Sequence, residues 1–444
     1  EAAIMALALE LCFGIPVWIG YVISAIVVIP IVMHGIKWIS RFHVWTQPLW
    51  LVLQLTPLAV IALHDHESFA NWVSYPGVEA YGAGFNILAA GAAGCVVFAL
   101  IAQIGEQVDV LRFMPERSKT NRVAWWTAVV ASGPGWIIPG AVKILIGSFL
   151  AVLCLAHGVP VERAGEPTQM YLVAFGYVTT SHQLALVLTG VFVIVCQFKI
   201  NVTNAYAGSI AWSNFFSRLT HAHPGRIVWL FFNVTIAFLL MKAGIYKTLE
   251  HTLGLFSIIA VAWVSAMVAD LCVNKPLGLS PKRIEFKRAH LYDVNPVGVG
   301  AMIAATAAGM LSYGGTFGIY AQALAPLIAL VVAFGLVPAI AFATKGRFYL
   351  ARKPRGSWNR KESVRCIVCE HEFEPEDMAH CPVYSGAICS LCCSIDARCH
   401  DGCKPHARYQ VQLLGLLKSI FPEHMMAGFN SRTGHFFGVF TLLC

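Results

Sequence analysis

The stretch Leu184-Ala-Leu-Val-Leu-Thr-Gly-Val-Phe-Val-Ile-Val-Cys196 runs directly into Gln197-Phe-Lys199-Ile-Asn201-Val-Thr203-Asn204-Ala-Tyr206-Ala-Gly208-Ser209. Its first half is continuously apolar rather than alternating, which predicts a helix and not a strand. Together the halves exceed the ~20 residues needed to cross a ~30 Å hydrocarbon layer. Lipid tolerates no unpaired backbone groups, so only helices or a closed barrel can span it, and unbroken runs select helices. The second half carries the functional signal. Asn201, Thr203 and Asn204 cannot all face lipid without an uncompensated cost of polar burial. They face a cavity or another helix, and either interhelical hydrogen bonding or solute binding accounts for them. Lys199 beside these carboxamides is an ion-coupling candidate, because desolvation lowers a lysine pKa and lets it exchange a proton or stand in for a cation.

Outward from this segment the same pattern recurs. Nine spans are expected at about 16–40, 44–63, 83–111, 123–157, 183–209, 227–244, 249–273, 296–314 and 318–344, with residues 1–14 as the remnant of an earlier one. Hydrophobic residues make up 57% of the chain and charged residues 12%, against roughly a quarter charged in a soluble domain. The fold class is therefore an all-α polytopic membrane protein. Residue 1 lies inside a span and the chain ends within the apolar run Phe436 to Cys444, so it reads as a piece of a longer protein.

The net charge of +8 could suggest a nucleic-acid partner, but its distribution excludes one. Loops 34–44, 112–122, 218–226, 274–292 and 345–361 hold twenty Lys or Arg, while the intervening loops hold only Arg163, Lys242 and Lys247. This is the positive-inside pattern, with the basic loops cytoplasmic and the lipid bilayer as the partner. Residues 1–344 then form the membrane domain and residues 345–365 a basic cytoplasmic linker. Trp125, Trp126 and Trp229 sit near span ends, where tryptophan anchors at the interface.

Few ionisable residues fall inside spans: Lys143, Lys199, Glu10, Glu106, Asp109 and Asp270. Such residues are costly in a bilayer and mark functional candidates. Gln103-Ile-Gly-Glu106-Gln-Val-Asp109 follows the Gly91-Ala-Ala-Gly94 break by about two turns, and an interrupted helix exposes dipole ends that can hold a polar solute. Gln103 and Glu106 could read a planar heterocycle, whereas Asp109 fits a helix end at the interface. A second break, Gly133-Pro-Gly135 with Pro139, interrupts span 123–157. Taken alone, such small residues more often permit close packing.

Behind the membrane domain, eight of the fourteen cysteines fall between Cys366 and Cys403. Cys366-x2-Cys369 and Cys389-x2-Cys392 are two knuckles spaced to hold one tetrahedral zinc ion. Cys381, Cys393, Cys399 and Cys403 could form a second site, with His380, His400 or His406 as substitutes. A module spanning 366–407 has too little core to fold unaided, and a metal would supply the missing free energy. The reducing cytoplasm disfavours disulfides. Four thiolates suit zinc, with an iron–sulfur cluster as the alternative. Residues 409–421 are spaced for an interfacial helix, and 435–444 could begin a further span.

Two stretches resemble a known family. Ala99-Leu-Ile-Ala-Gln-Ile-Gly-Glu-Gln-Val-Asp109-Val-Leu-Arg112 is similar to the sixth span of the nucleobase:cation symporter-1 family, the purine and cytosine permeases. Asn204-Ala-Tyr-Ala-Gly-Ser-Ile-Ala-Trp-Ser213-Asn-Phe-Phe resembles its eighth span, and Val268-Ala-Asp270-Leu the end of its tenth. The resemblance implies a leucine-transporter-type inverted repeat with about ten of twelve spans present, and a substrate contact at Asn204. The chain departs from the family by placing Lys199 and Ile200 near the sodium site, and by having only Phe98 as an aromatic between Cys95 and Leu100. Cys366-Ile-Val-Cys-Glu and His380-Cys-Pro-Val-Tyr-Ser-Gly-Ala-Ile-Cys-Ser-Leu-Cys-Cys393 resemble the segment behind permease-like modules in bacterial hybrid sensor histidine kinases. The expected function is recognition or transport of a nucleobase-like small solute as the sensory input to C-terminal signalling domains, at the bacterial inner membrane. A secondary active transporter with a metal-binding tail is the alternative. No enzyme motif, and no kinase block, lies within these residues.

Overall fold

The structure is a computed structural model, and it describes residues 1–77, 85–111, 114–220, 224–244, 249–353, 363–395 and 399–420; at 106, 108–110, 218–220, 249–250 and 420 only the backbone is described. The chain forms two compact units, one of Glu1–Asn214 with Pro224–Gly254 and one of Phe215–His223 with Leu255–Cys444.

Among the described residues, seven helices are long and apolar enough to cross a bilayer: Val17–His34, Ile36–His64, Pro134–Ala156, His182–Ser217, His251–Asn274, Pro296–Tyr313 and Ala325–Ala343. Two of the nine expected spans fall short. Span 83–111 is divided into helix Ile87–Ala99, a 3-10 turn Leu100–Gln103 and helix Ile104–Leu111. Its apolar part, Ile87–Gln103, stays below bilayer length. Span 227–244 is helix Arg226–Lys242, of 17 residues. Boundaries also moved. The first span ends at Gly35, not near residue 40, because Gly35 takes φ 84°, a conformation open to residues without a Cβ. The next helix therefore starts at Ile36. Span 123–157 breaks at the expected place, where Gly133 leads into the 3-10 turn Pro134–Trp136.

The first unit closes around an element that the loop between expected spans did not signal. Helix Pro167–Gly176 buries Tyr171, Ala174 and Phe175 against Phe149, Leu150 and Leu153 of helix Ile137–Ala156 and Phe192 and Val193 of the opening segment. Phe69 stacks on Phe149 with centroids 4.5 Å apart. The Tyr171 hydroxyl donates to Gln54 Oε1 at 2.9 Å, so the one polar atom of that ring is satisfied as it is buried.

In the second unit, helices Pro296–Tyr313 and Ala325–Ala343 meet along two stripes of mostly small residues. Val297, Ala301, Ala305, Gly309 and Ser312 face Ala325, Ala329, Ala333, Val337 and Ala341, all buried. The four-residue spacing puts each stripe on one face. Removing bulk lets backbones approach closely, which is how helices associate where lipid is as apolar as leucine. At the tightest point a Cβ on Gly309 would sit 2.4 Å from Ile258 Cγ2 and 3.1 Å from Ala329 Cβ.

Behind these helices the cysteine module has two short antiparallel ribbons, β1 Val364–Arg365 with β2 Glu372–Phe373, and β3 Met378–Cys381 with β4 Gly386–Cys389. A short helix Ser390–Ile395 and a longer one, Tyr409–Ile420, follow.

Gly309→Val should destabilise the protein by about 1–3 kcal/mol, the usual cost of overpacking. Gly335→Ala, where a Cβ meets nothing within 4 Å, should not. Thermal denaturation of the purified protein in detergent checks the pair, and equal Tm values would show that the stripe is not a packing constraint.

Candidate metal centre and membrane cavity

The geometry of the first metal site follows from its two knuckles. The β3–β4 ribbon ends in Cys389, and Cys392 follows one helical turn later. The first knuckle crosses onto this ribbon through the Ile367 amide, which donates to Ala387 O at 2.8 Å. A left-handed residue, Glu370 at φ 61°, then turns the chain away. As a result Cys366, Cys369, Cys389 and Cys392 bring their sulfurs within 4.8 Å of one another. Cys369 Sγ and Cys389 Sγ are 4.0 Å apart, close to the about 3.8 Å separation that four 2.3 Å metal–sulfur bonds impose in a tetrahedron.

Backbone amides support negative charge there. The Cys389 amide donates to Cys366 Sγ at 3.3 Å, and the Cys392 amide to Cys389 Sγ at 3.4 Å. Burial pushes the Cys366 thiol up, but amide donation from Cys369, Cys389 and Val368 outweighs it and holds the thiol at about 6. Hydrogen bonds to the charged form are what favour it. These four cysteines form a cluster able to hold a metal ion. Among the described residues none of the eight module cysteines is in a disulfide.

The module is fastened to the polypeptide between the helices ending at Asn274 and starting at Pro296. Arg288 forms a fork with Asp401: Nε donates to Oδ1 at 3.1 Å and Nη2 to Oδ2 at 2.9 Å, with both side chains about 5% exposed or less. Arg288 Nη1 also donates to Ser217 O at 3.2 Å. Lys404, 1% exposed, donates to Leu291 O at 2.9 Å and pairs with Asp293. The other carboxylate oxygen of Asp293 accepts from the Tyr409 amide at 2.9 Å, and Gln412 exchanges hydrogen bonds with both backbone groups of Val294. Helix Tyr409–Ile420 is thereby anchored at its start, while Val411, Leu414 and Leu416 remain exposed. Glu285 accepts from His290 Nδ1 at 2.9 Å and from the Lys287 amide at 3.0 Å. Burial raises its pKa, and these donors more than reverse that, setting the carboxyl at about 2.

None of Arg288, Asp293, Asp401 or Lys404 was singled out by sequence reasoning. Arg288 is one of twenty basic loop residues and reads there as topology. The available signal was Asp401 inside Cys399-His-Asp-Gly-Cys403, a charge in a tight turn between two cysteines.

In the first unit the polar stretch is buried in part. Lys199 donates to Gln47 Oε1 at 2.7 Å, with its ammonium 5.7 Å from the Trp50 ring centroid. Thr203 donates to Lys199 O at 3.1 Å and lies 3.3 Å from His43 Nε2. Asn201 is 9% exposed and its Nδ2 has no partner among the described residues; Asn204 is half-buried. A cavity of about 280 Å³ opens one turn earlier, lined by Trp50, Gln54, Lys143, Cys196, Gln197 and Ile200 among others. Asn201, Thr203 and Asn204 do not line it. Gln103 is exposed at the end of its 3-10 turn, and no hydrogen bond among the described residues joins it to Asn201, Thr203 or Asn204. The side chains of Glu106 and Asp109 lie outside the described residues. Asp270 has a local role, accepting from Tyr349 OH at 2.6 Å and Asn274 Nδ2 at 3.4 Å where the helix ends in a π turn.

No family model, no curated protein and no solved structure matches this chain.

Two outcomes follow from the fastening. Arg288→Met alone should cost about 3–5 kcal/mol by removing the fork from buried Asp401, and Arg288→Met with Asp401→Leu should recover most of it; a thermal-denaturation cycle on the purified protein reads this, and additive losses would contradict it. Glu285 is depressed from 4.5 to about 2, so its contribution is full above about pH 4.5 and is lost as pH falls toward 2. Proteolysis of the module after acid exposure should rise over that window, and Glu285→Gln should remove the pH dependence.

Proposed function

We propose that this chain is the sensory input of a histidine-kinase signalling protein of the bacterial inner membrane. Its permease-like helices recognise a nucleobase-like small solute. Its cysteine module, on the cytoplasmic side and loaded with zinc at Cys366, Cys369, Cys389 and Cys392, carries the conformational result toward C-terminal signalling domains. The observation that carries this reading is the buried fork between Arg288 and Asp401. A tail that merely trailed from a transporter would need no desolvated ion pair, since such pairs cost free energy unless held in good geometry. Here the pair ties a loop between two membrane helices to the turn that bears two cysteines, so a shift of those helices must move the module.

The solute-recognising part rests on the partly buried polar side chains of Lys199, Asn201, Thr203 and Asn204, and on Asn201 Nδ2, which has no partner among the described residues. Buried polar groups ordinarily find partners, so an amide donor left open within a helix bundle is one that a heterocycle carbonyl or ring nitrogen can accept. Four thiolates in a reducing compartment select zinc over calcium or magnesium, which prefer oxygen.

In the full-length protein, nucleobases and their close relatives should raise Tm, and Asn201→Ala should abolish the shift. Arg288→Met should keep solute binding yet uncouple it from autophosphorylation. Robust uptake of radiolabelled solute that is indifferent to Arg288→Met would instead favour a secondary active transporter with a metal-binding tail.

A further inference from the structure

The four cysteines left over by the first site line a common cavity, although their sulfurs are not drawn within 4.8 Å of one another as the first four are. Cys381 closes β3, Cys393 lies on the short helix behind Cys392, and Cys399 and Cys403 bracket the tight turn His400-Asp401-Gly402. All four line one small enclosed cavity of about 10 Å³, together with Ala289 and His380. We propose that Cys381, Cys393, Cys399 and Cys403 hold a second metal ion through four thiolates, and that this ion sits at the joint between the module and the loop at Ala289.

Adjacent residues Cys392 and Cys393 point to different clusters. Cys392 belongs to the first group and Cys393 lines the second cavity, so the short helix serves both sites from neighbouring positions. Cys381 and Cys389 end the two strands of one ribbon, Cys381 paired with Gly386 and Cys389 with Met378. They lie at opposite ends of it, one for each site. The ligands are thus interleaved along the chain, and neither site can assemble without the ribbon that carries both. The turn is compact because His400 and Asp401 both adopt positive φ, 41° and 52°, and the Gly402 amide closes it onto Cys399 O at 2.9 Å. A cavity of this size admits about one small probe sphere and no organic ligand. Four soft sulfurs lining one cavity are the donor set that thiolate-bound metals take.

His400 is exposed, and His406 packs on Tyr292 with centroids 5.8 Å apart, so neither substitutes for a thiolate. Since Asp401 lies between Cys399 and Cys403, a metal there fixes the carboxylate that receives Arg288. Loading of the second site then determines whether the module is docked, while loading of the first determines whether its ribbon forms. This goes beyond solute recognition and does not depend on it.

The test is metal content of the full-length protein purified under reducing conditions from zinc-replete cells. Two zinc ions per chain are expected for the wild type, and one for Cys399→Ser with Cys403→Ser. His380→Ala should retain two. One ion in the wild type, or two in the double variant, would overturn the second site while leaving the first intact. Differential alkylation guards against a misfolded variant. In the wild type, Cys381, Cys393, Cys399 and Cys403 should be protected from iodoacetamide until a strong chelator is added. Labelling of those four that is indifferent to the chelator, or their recovery as disulfides, would sink the proposal.

Discussion

Arg288 and Asp401 meet in a place where neither could remain alone. An unpaired charge with only about 5% of its surface in water is unstable by several kcal/mol, so each residue dictates the position of the other. Asp401 is held by a turn between two cysteines, and Arg288 by a loop between two helices that are long and apolar enough to cross a bilayer. The fork also gives direction to the residues around it. Lys404 reaches Asp293, Asp293 receives the start of helix Tyr409–Ile420, and Arg352 donates to His380 O. The cysteine module is therefore part of the second unit and not a pendant.

A different constraint shapes the helices of that unit. With no hydrophobic gain available between helices in lipid, close approach has to come from the absence of side chains. The facing rows centred on Gly309 and Ala329 do this, and they place the chain of Pro296–Tyr313 where its preceding loop can meet the module. Packing of small residues and pairing of buried charges thus act in series, the first locating the loop and the second reading its position.

Much of this was legible in the residues. The two C-x2-C pairs announced a thiolate cluster because their spacing is set by the reach of two tight turns around one ion, and seven of the expected spans have helices of bilayer length. The break at Gly133 to Pro139 fell where the breakers stand. Less legible were segments whose role depends on partners far away in sequence. Helix Pro167–Gly176 lies in a loop too short and too polar at its ends to suggest a span, yet Tyr171 and Phe175 fill the first unit's core. Span 227–244 forms a helix of 17 residues, at the lower edge of bilayer length. Gln103 was read as a solute contact from the helix break before it, and no hydrogen bond among the described residues joins it to Asn201 or Asn204.

Composition and periodicity by themselves determined that the chain is helical, apolar and followed by a cysteine module, because lipid permits few backbone solutions and metal ligation demands particular side chains at particular spacings. Only the tertiary structure decided which cysteine lines which cluster, since Cys392 and Cys393 are neighbours in sequence and diverge only through the ribbon and helix that carry them. It alone decided that Arg288, one basic loop residue among twenty, has a buried partner. Charge counts record where a side chain begins, and desolvation depends on what surrounds its end.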